Sequence, residues 1–285
     1  HVRAGWFARA GEVMQQGSQR CVRRGAASTA WLRCRPAGGA VVVLLALAGL
    51  VSTEHAAATP NAWSAAASLT NGRSQQPAML LPSGKVLVVA GYDGASMSSA
   101  EIYDPVADTW TAAGTLTTVR GFHTATLLPN DKVIAAGGWN NEVVLASTDI
   151  YDPVANSWSA AGGLAVAREA HTATLLSNGK VLVAGGYDGA NALGSAELYD
   201  PDANTWSPAG SLLVARFFHT ATLLSNGKVL VVGGHDGAGG LASAELYDPV
   251  ANTWSLAAGL MAARYSQSLT LLPSGKVLVV GGFVG

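Results

Sequence analysis

The chain has 285 residues, of which 49% are hydrophobic and 12% are charged, so it is long and apolar enough to bury a sizeable core. Seven of its 17 Lys and Arg residues lie within residues 1–58, and the remainder has ten basic and 16 acidic residues, a net charge of −6. A nucleic-acid-binding domain requires a clustered basic face, so this distribution excludes that class.

The first 58 residues have the pattern of a secretory leader. Met14 is the predicted start, and a stretch rich in arginine follows it. Residues 40–51 form a 12-residue apolar run, which is too short to span a membrane comfortably. Small residues then predict cleavage near Ala58. We expect a signal peptide over 1–58, a mature chain over 59–285 and no membrane association after cleavage; a single membrane anchor is the alternative.

Beyond the leader, one unit recurs every 47 or 48 residues. A tryptophan marks each period, and so does a pair of small residues, which is Gly-Gly in four copies and Ala90-Gly91 in the first. The tryptophans are Trp63, Trp110, Trp158, Trp206 and Trp254. A period of this length indicates an array of one supersecondary unit.

Each unit contains four short strands, here named a to d, and residues 219–254 are its clearest copy. Asn226-Gly227 separates two apolar runs, which predicts a hairpin with a type I′ turn between strands a and b. Strand c ends at Asp248-Pro249, which predicts a type I turn. Strand d then carries Trp254.

Four antiparallel strands cannot bury both faces of their sheet alone. Radial repetition buries each sheet against the next blade of a β-propeller. The tryptophan of strand d is expected to fill the gap between blades, and the glycine pair after strand b to permit close backbone approach. The alternative is a solenoid, whose units are usually shorter.

The copies predict four complete blades, a partial fifth and an orphan first strand. The complete blades cover about 70–112, 117–160, 165–208 and 213–256. The fifth contains strands a and b only, so we expect the chain to be incomplete at its C terminus. Residues 61–64 form a strand d without a preceding a, b or c, and in a propeller such a strand completes the last blade.

Gly-Gly, a polar loop, a Tyr and then a Trp seven residues later together resemble the Kelch signature. The matching triplets are Gly138, Tyr151 and Trp158; Gly186, Tyr199 and Trp206; and Gly234, Tyr247 and Trp254. The resemblance covers about 60–285. Among Kelch proteins, the repeat sequences are most similar to those of bacterial secreted Kelch proteins and of the propeller domain of galactose oxidase-type proteins. The resemblance implies an all-β, Kelch-type propeller of four-stranded antiparallel blades.

The copies differ from one another mainly on one predicted face of the propeller, here called the variable face. It comprises the b–c loops (92–98, 139–145, 187–193, 235–241) and the residue pairs that follow each repeat Arg (74–75, 121–122, 169–170, 217–218, 265–266). Variation on a rigid scaffold is typical of recognition, and drift in unconstrained loops is the alternative. The candidate ligand-binding rings are Tyr92, Phe122, Trp139, Tyr187, Phe217, Phe218, His235 and Tyr265.

One arginine precedes strand a in every copy, and these residues are further candidates for ligand binding. They are Arg73, Arg120, Arg168, Arg216 and Arg264. A ring of guanidinium groups can bind carboxylates, and in Kelch adaptors of ubiquitin ligases similar arginines bind acidic peptides. The structural alternative is an ion pair with an acid that recurs at the same period, and this recurrence favours it. These acids are Glu101, Asp149, Glu197 and Glu245.

Metal binding and catalysis receive little support. His123, His171 and His219 occupy equivalent positions, which spread around a ring and do not converge to the ~2 Å bonds of a metal site, so we expect packing histidines. The copper-radical cofactor of galactose oxidase-type enzymes contains a Tyr cross-linked to a Cys. Both cysteines, Cys21 and Cys34, lie in the leader.

The sequence therefore predicts a secreted, monomeric Kelch propeller that binds an extracellular protein or glycan, with no catalytic residue, metal or cofactor in this chain. The alternative is the propeller portion of an extracellular oxidase or sugar-active enzyme whose catalytic residues lie elsewhere. A surface scaffold without a small ligand is a third interpretation.

Overall fold

The computed structural model describes residues 64–284 and, nearer the N terminus, the backbone of three strands. These three strands pair antiparallel in chain order. They are β1 (Val13–Gln16), β2 (Gln19–Arg24) and β3 (Trp31–Arg35). The predicted apolar run, the cleavage site near Ala58 and most of the orphan strand lie outside the described residues, so the leader stays a prediction.

From Ala65 onward the described residues form strands and no helices, in separate antiparallel sheets whose strands pair in chain order. Blade 1 contains β4 (Ala78–Leu80), β5 (Val86–Val89), β6 (Ser99–Asp104) and β7 (Thr109–Thr115). Blade 2 contains β8 (Thr124–Leu127), β9 (Val133–Ala136), β10 (Thr148–Asp152) and β11 (Ser157–Ala160). Blade 3 contains β12 (Thr172–Leu175), β13 (Val181–Ala184), β14 (Ala196–Asp200) and β15 (Thr205–Ala209).

Blade 4 repeats the same order of strands, and a two-stranded sheet follows it. Blade 4 contains β16 (Thr220–Leu223), β17 (Val229–Val232), β18 (Ala244–Asp248) and β19 (Thr253–Ala257). Blade 5 contains β20 (Ser268–Leu271) and β21 (Val277–Val280). The fold class predicted from the repeats, with four complete blades and a partial fifth, is confirmed.

Apolar layers between neighbouring blades form the core. In β9, Val133 and Ala135 pack against blade 1, whereas the intervening Ile134 packs against blade 3. This alternation follows from the period of two in a strand, which turns successive side chains to opposite faces of the sheet. Strand b of blades 1 to 4 is apolar at every position, because both of its faces are covered.

Each of the four strand-d tryptophans within residues 64–284 connects its blade to the preceding unit, as predicted. Its indole Nε1 donates a hydrogen bond to a backbone carbonyl of the preceding unit. The pairs are Trp110 with Ala67 (2.8 Å), Trp158 with Ala113 (2.9 Å), Trp206 with Gly162 (2.7 Å) and Trp254 with Gly210 (2.6 Å). Each indole also packs against the Tyr of its own strand c, with ring centroids 5.1 Å apart.

The glycine pair permits the close approach that was predicted for it. Gly185 and Gly186 have φ of 63° and 106°, which only glycine adopts readily. A Cβ atom on Gly185 would lie 2.5 Å from the Arg216 carbonyl oxygen of the next blade, and one on Gly186 would lie 2.8 Å from the Glu169 carbonyl oxygen. A side chain at either position would therefore displace backbone.

The a–b turn differs from the predicted type I′ geometry, which requires positive φ at both central residues. In blade 3, Gly179 has φ of 82° but Asn178 is not among the residues with positive φ. The Gly179 N–H bonds to the Leu176 carbonyl (3.0 Å), and the Leu176 N–H bonds to the Lys180 carbonyl (2.8 Å). The loop therefore has three residues, a type I turn followed by a left-handed residue.

Candidate functional site

The two sets of variable residues lie next to each other at one end of the blades. In every copy, the first residue after the repeat Arg forms an isolated β-bridge with the first residue after the small-residue pair. The bridges join Ser74 to Tyr92, Gly121 to Trp139, Glu169 to Tyr187, Phe217 to His235 and Tyr265 to Phe283. In each copy, the residue after the repeat Arg and the start of the segment after the small-residue pair thus lie side by side on the variable face.

Four of the five candidate arginines are buried in ion pairs and do not face a ligand. Arg168 donates from Nη2 to the Glu197 carboxylate (2.8 Å) and from Nη1 to the carbonyls of Gly185 (2.7 Å) and Ser195 (3.0 Å). Equivalent pairs join Arg73 to Glu101, Arg120 to Asp149 and Arg216 to Glu245. These four arginines therefore form the ion pairs that were considered as the structural alternative, and their guanidinium groups are not available to a ligand.

The buried carboxylates also hold the d–a connections in place. Glu197 accepts hydrogen bonds from the backbone N–H groups of Ala165 (2.7 Å) and Val166 (3.2 Å), which precede Arg168 in the chain. Burial lowers the pKa of Arg168, and the Glu197 carboxylate opposes that shift. Arg264 differs, because it bonds the Gly281 carbonyl (2.9 Å) and has no carboxylate partner among the described residues.

The inner histidines connect neighbouring blades by hydrogen bonds. His171 Nε2 lies 2.9 Å from Thr124 Oγ1, and His219 Nε2 lies 3.0 Å from Thr172 Oγ1. His123 has no such partner, because Pro77 occupies the position of the threonine. Burial lowers the pKa of His123 and His219 to about 3. Within residues 64–284, no His, Cys, Asp and Glu residues cluster closely enough to hold a metal ion.

A cavity of about 460 Å³ lies along the inner strands, and all five copies contribute to its wall. The second residue after each repeat Arg lines it and has a left-handed backbone, with φ between 51° and 55°. These rim residues are Gln75, Phe122, Ala170, Phe218 and Ser266. The N–H of Ala170 bonds the Phe122 carbonyl, that of Phe218 bonds Ala170, and that of Ser266 bonds Phe218. Backbone hydrogen bonds therefore link the second to the fifth copy along this rim.

Most of the predicted aromatic candidates form one chain of ring contacts on the variable face, here called the aromatic belt. Centroid separations between neighbouring rings are 5.2 to 6.5 Å. The belt comprises Tyr92, Phe122, Tyr187, Phe217, Phe218, His235, Tyr265 and Phe283. Trp139 lies on the same face but makes no ring contact with the described aromatic residues. Phe283 was missed by the sequence reasoning, although it holds the same repeat position as His235.

Comparison with known proteins agrees with this geometry. The family model of the KLHDC2/KLHL20/DRC7 Kelch-repeats domain matches residues 122–285, which is more than half of the chain. The Kelch motif model matches residues 76–117. The chain belongs to the Kelch-repeat family.

The Kelch fold is also found in a similar solved structure, that of YjhT. The two align with a TM-score of 0.68 over 96% of this chain and 90% of that chain, at 13% sequence identity. At this identity the likeness shows the fold alone. No curated protein sequence matches the chain.

The described lysines of the Kelch propeller lie at one end of the blades. Four lysines of the a–b turns pair with the aspartates that end strand c, at the end opposite the variable face. The pairs are Lys85 with Asp104 (3.0 Å), Lys132 with Asp152 (3.0 Å), Lys180 with Asp200 (2.9 Å) and Lys228 with Asp248 (2.9 Å). The described residues contain no helix of the length and apolarity that crossing a membrane requires.

Proposed function

We propose that this Kelch propeller is a protein-binding module whose contact surface is the aromatic belt. The observation that carries the proposal is the unbroken chain of ring contacts from Tyr92 to Phe283 on one face. Large aromatic side chains dominate the binding energy of protein interfaces, because each buries much apolar area while losing few rotamers.

The fold does not require aromatic residues at several belt positions. Phe217 has Ser74, Gly121 and Glu169 as its equivalents, and each of these forms the same backbone bridge. Phe218 is equivalent to Ala170, and both donate the same rim hydrogen bond. Since the backbone geometry is kept with or without a ring, packing of the blades does not explain why the rings are there.

The rings are also accessible to a partner. Phe217, Phe218, His235 and Tyr265 are each partly exposed. Contiguous exposed apolar surface is uncommon on soluble proteins and marks sites of interaction. The leader pattern in residues 14–58 supports export, so we place the partner outside the cell that makes this chain.

A selection experiment tests the proposal. Peptides would be selected from a random library on the full chain, and the enriched peptides would then be titrated against F217A/F218A and V250A variants. Val250 is exposed and lies in a c–d turn at the opposite end of the blades, so it is the matched control.

We expect F217A/F218A to weaken binding of the enriched peptides by at least about tenfold, the loss of roughly two aromatic anchors, and V250A to leave it unchanged. Peptides that bind both variants as tightly as the original chain would overturn the proposal. A glycan array probed with the same three proteins would identify a carbohydrate module if only glycans bound in a belt-dependent way.

A further inference from the structure

The ionisable groups of the variable face are almost all acidic. Its b–c loops and the residue pairs after the repeat Arg carry five acids, and none of the described lysines lies there. The acids are Asp93, Glu142, Glu169, Asp188 and Asp236. The lysines lie in the a–b turns at the other end, and the repeat arginines before the first four inner strands are buried in ion pairs.

Two of these acids have a structural explanation and two others, Asp93 and Glu142, are exposed to water, but Glu169 belongs to neither group. Asp188 and Asp236 each accept two backbone hydrogen bonds within their own loops. The Glu169 side chain is half-buried, yet it accepts no hydrogen bond and forms no ion pair with the described residues. A carboxylate that is partly removed from water without a partner is costly, so the fold gains nothing from Glu169 itself.

Glu169 lies beside the aromatic belt. Its backbone exchanges two hydrogen bonds with Tyr187, each of 2.9 Å. In such a pair, the two Cβ atoms are about 5.5 Å apart and point to the same side of the sheet. The Tyr187 ring contacts Phe217 (5.3 Å), and Phe217 contacts His235 (5.2 Å). One carboxylate thus stands at the side of a run of rings.

Aromatic faces next to a carboxylate are suited to a cation. The negative face of an aromatic ring attracts an ammonium or guanidinium group, most strongly where water is displaced. A carboxylate at the edge of the rings adds a charge-assisted hydrogen bond. An anionic ligand would instead meet five acids and no available lysine, with Arg264 as the single repeat arginine outside an ion pair among the described residues, so repulsion outweighs attraction.

We propose that the aromatic belt binds a basic peptide segment, with an Arg or Lys side chain lying over Tyr187 and Phe217 and its charged group paired with Glu169. This inference rests on the proposed function, because it requires the belt to be a protein-binding surface. It adds that the partner is positively charged and that Glu169 recognises this charge.

The test uses three end-capped octapeptides that differ at alternate positions, with arginine, citrulline or glutamate between glycines. Citrulline keeps the shape of arginine and removes its charge. Binding to the full chain would be measured by fluorescence anisotropy, with E169Q, E142Q and F217A variants. Glu142 is an exposed acid in the b–c loop of blade 2 on the same face, so E142Q controls for general attraction between charges.

We expect the arginine peptide to bind about tenfold tighter than the citrulline peptide, and the glutamate peptide to bind least. E169Q should remove about tenfold in affinity for the arginine peptide, whereas E142Q should change it by less than about twofold. Unaltered thermal unfolding of E169Q would show that the variant is folded.

Equal affinity for the arginine and citrulline peptides, or an E169Q variant that binds like the original chain, would overturn the inference. If F217A still weakened binding in that case, the belt would remain a protein-binding surface and only the preference for a cation would fail. If F217A were also without effect, or if none of the three peptides bound, the preference for a cation would fail. The belt would then also be rejected as a binding surface for basic peptides.

Discussion

The inner histidines differ in their hydrogen-bond partners on the preceding blade. His219 reaches Thr172, whereas in blade 5 Gln267 holds the equivalent position and donates to Thr220 Oγ1 (3.2 Å). An amide can therefore replace the imidazole without losing the bond between blades. The difference between the two residues is that an imidazole titrates and an amide does not.

This difference predicts that H219Q makes the chain less sensitive to mild acid. The pKa of His219 is about 3 in the folded chain and about 6.5 in an unfolded one. As the pH falls below 6.5, the unfolded chain therefore binds a proton that the folded chain does not, and stability is lost. Between pH 7 and pH 5, H219Q should lose about 2 kcal/mol less of its free energy of unfolding than the original chain.

Urea denaturation at the two pH values measures this loss. H123Q is a useful companion, because the pKa of His123 is also lowered to about 3 although it has no threonine partner. It should show the same relief from acid. Stability curves that run parallel for the original chain and both variants would contradict the assignment of acid sensitivity to these imidazoles.

The sequence allowed two interpretations of the repeat arginines, and the periodic acids favoured the correct one for four of them. What could not be foreseen is the geometry of the rim. Gln75 and Phe122 have left-handed backbones, which residues with a side chain normally avoid. From Phe122 to Ser266 this conformation accompanies backbone hydrogen bonds between blades, and local preferences gave no indication of it.

At the scale of the strand and its turn, the a–b hairpin shows which positions need glycine. Gly227 has φ of 80°, and a Cβ atom there would meet no atom within 4 Å. In blade 2 the same position is Asp131, with φ of 63°. The turn therefore tolerates a side chain sterically, and only the left-handed backbone opposes it.

This predicts opposite effects for two substitutions in equivalent turns. G227A should lower the free energy of unfolding by about 1 kcal/mol, since a left-handed conformation costs an ordinary residue roughly 1–2 kcal/mol. D131G should be neutral or stabilising for the same reason. Thermal and urea unfolding of both variants would check this. Loss of stability in D131G comparable with that in G227A would indicate that the aspartate, and not the backbone, stabilises its turn.

The elements themselves were largely predictable. Four strands per unit were predicted from the period of two and the turn residues. The spacing of the tryptophans predicted that their indoles lie between blades. The type I′ turn was wrong, because Asn-Gly also suits a three-residue loop with a type I turn followed by a left-handed glycine, in which φ of Asn is not positive. The sequence alone does not distinguish the two.

For the whole chain, the repeats established the propeller, and the family match confirms it. The aromatic belt was predicted only as a set of residues on one face. Its continuity depends on ring orientations across blades, such as the 5.3 Å contact between His235 and Tyr265, and repeat spacing does not specify these.

The predicted leader implies that the whole molecule is exported from the cytoplasm. Expressed with its N-terminal residues in a bacterial host, the chain should be recovered outside the cytoplasm and should begin near Thr59. Mass spectrometry of the exported product would read the new terminus. A product that keeps residues 40–51 and sediments with membranes would instead support the anchor that was considered as the alternative.

The backbone bonds along the rim have a consequence for how such a chain can change. Ala170, Phe218 and Ser266 form the same link although their side chains have nothing in common. Exchange of one of these side chains for another thus keeps the backbone bond, and new preferences can evolve there while the link between blades persists. Combinatorial libraries built at the rim should accordingly yield many soluble variants, each with its own selectivity.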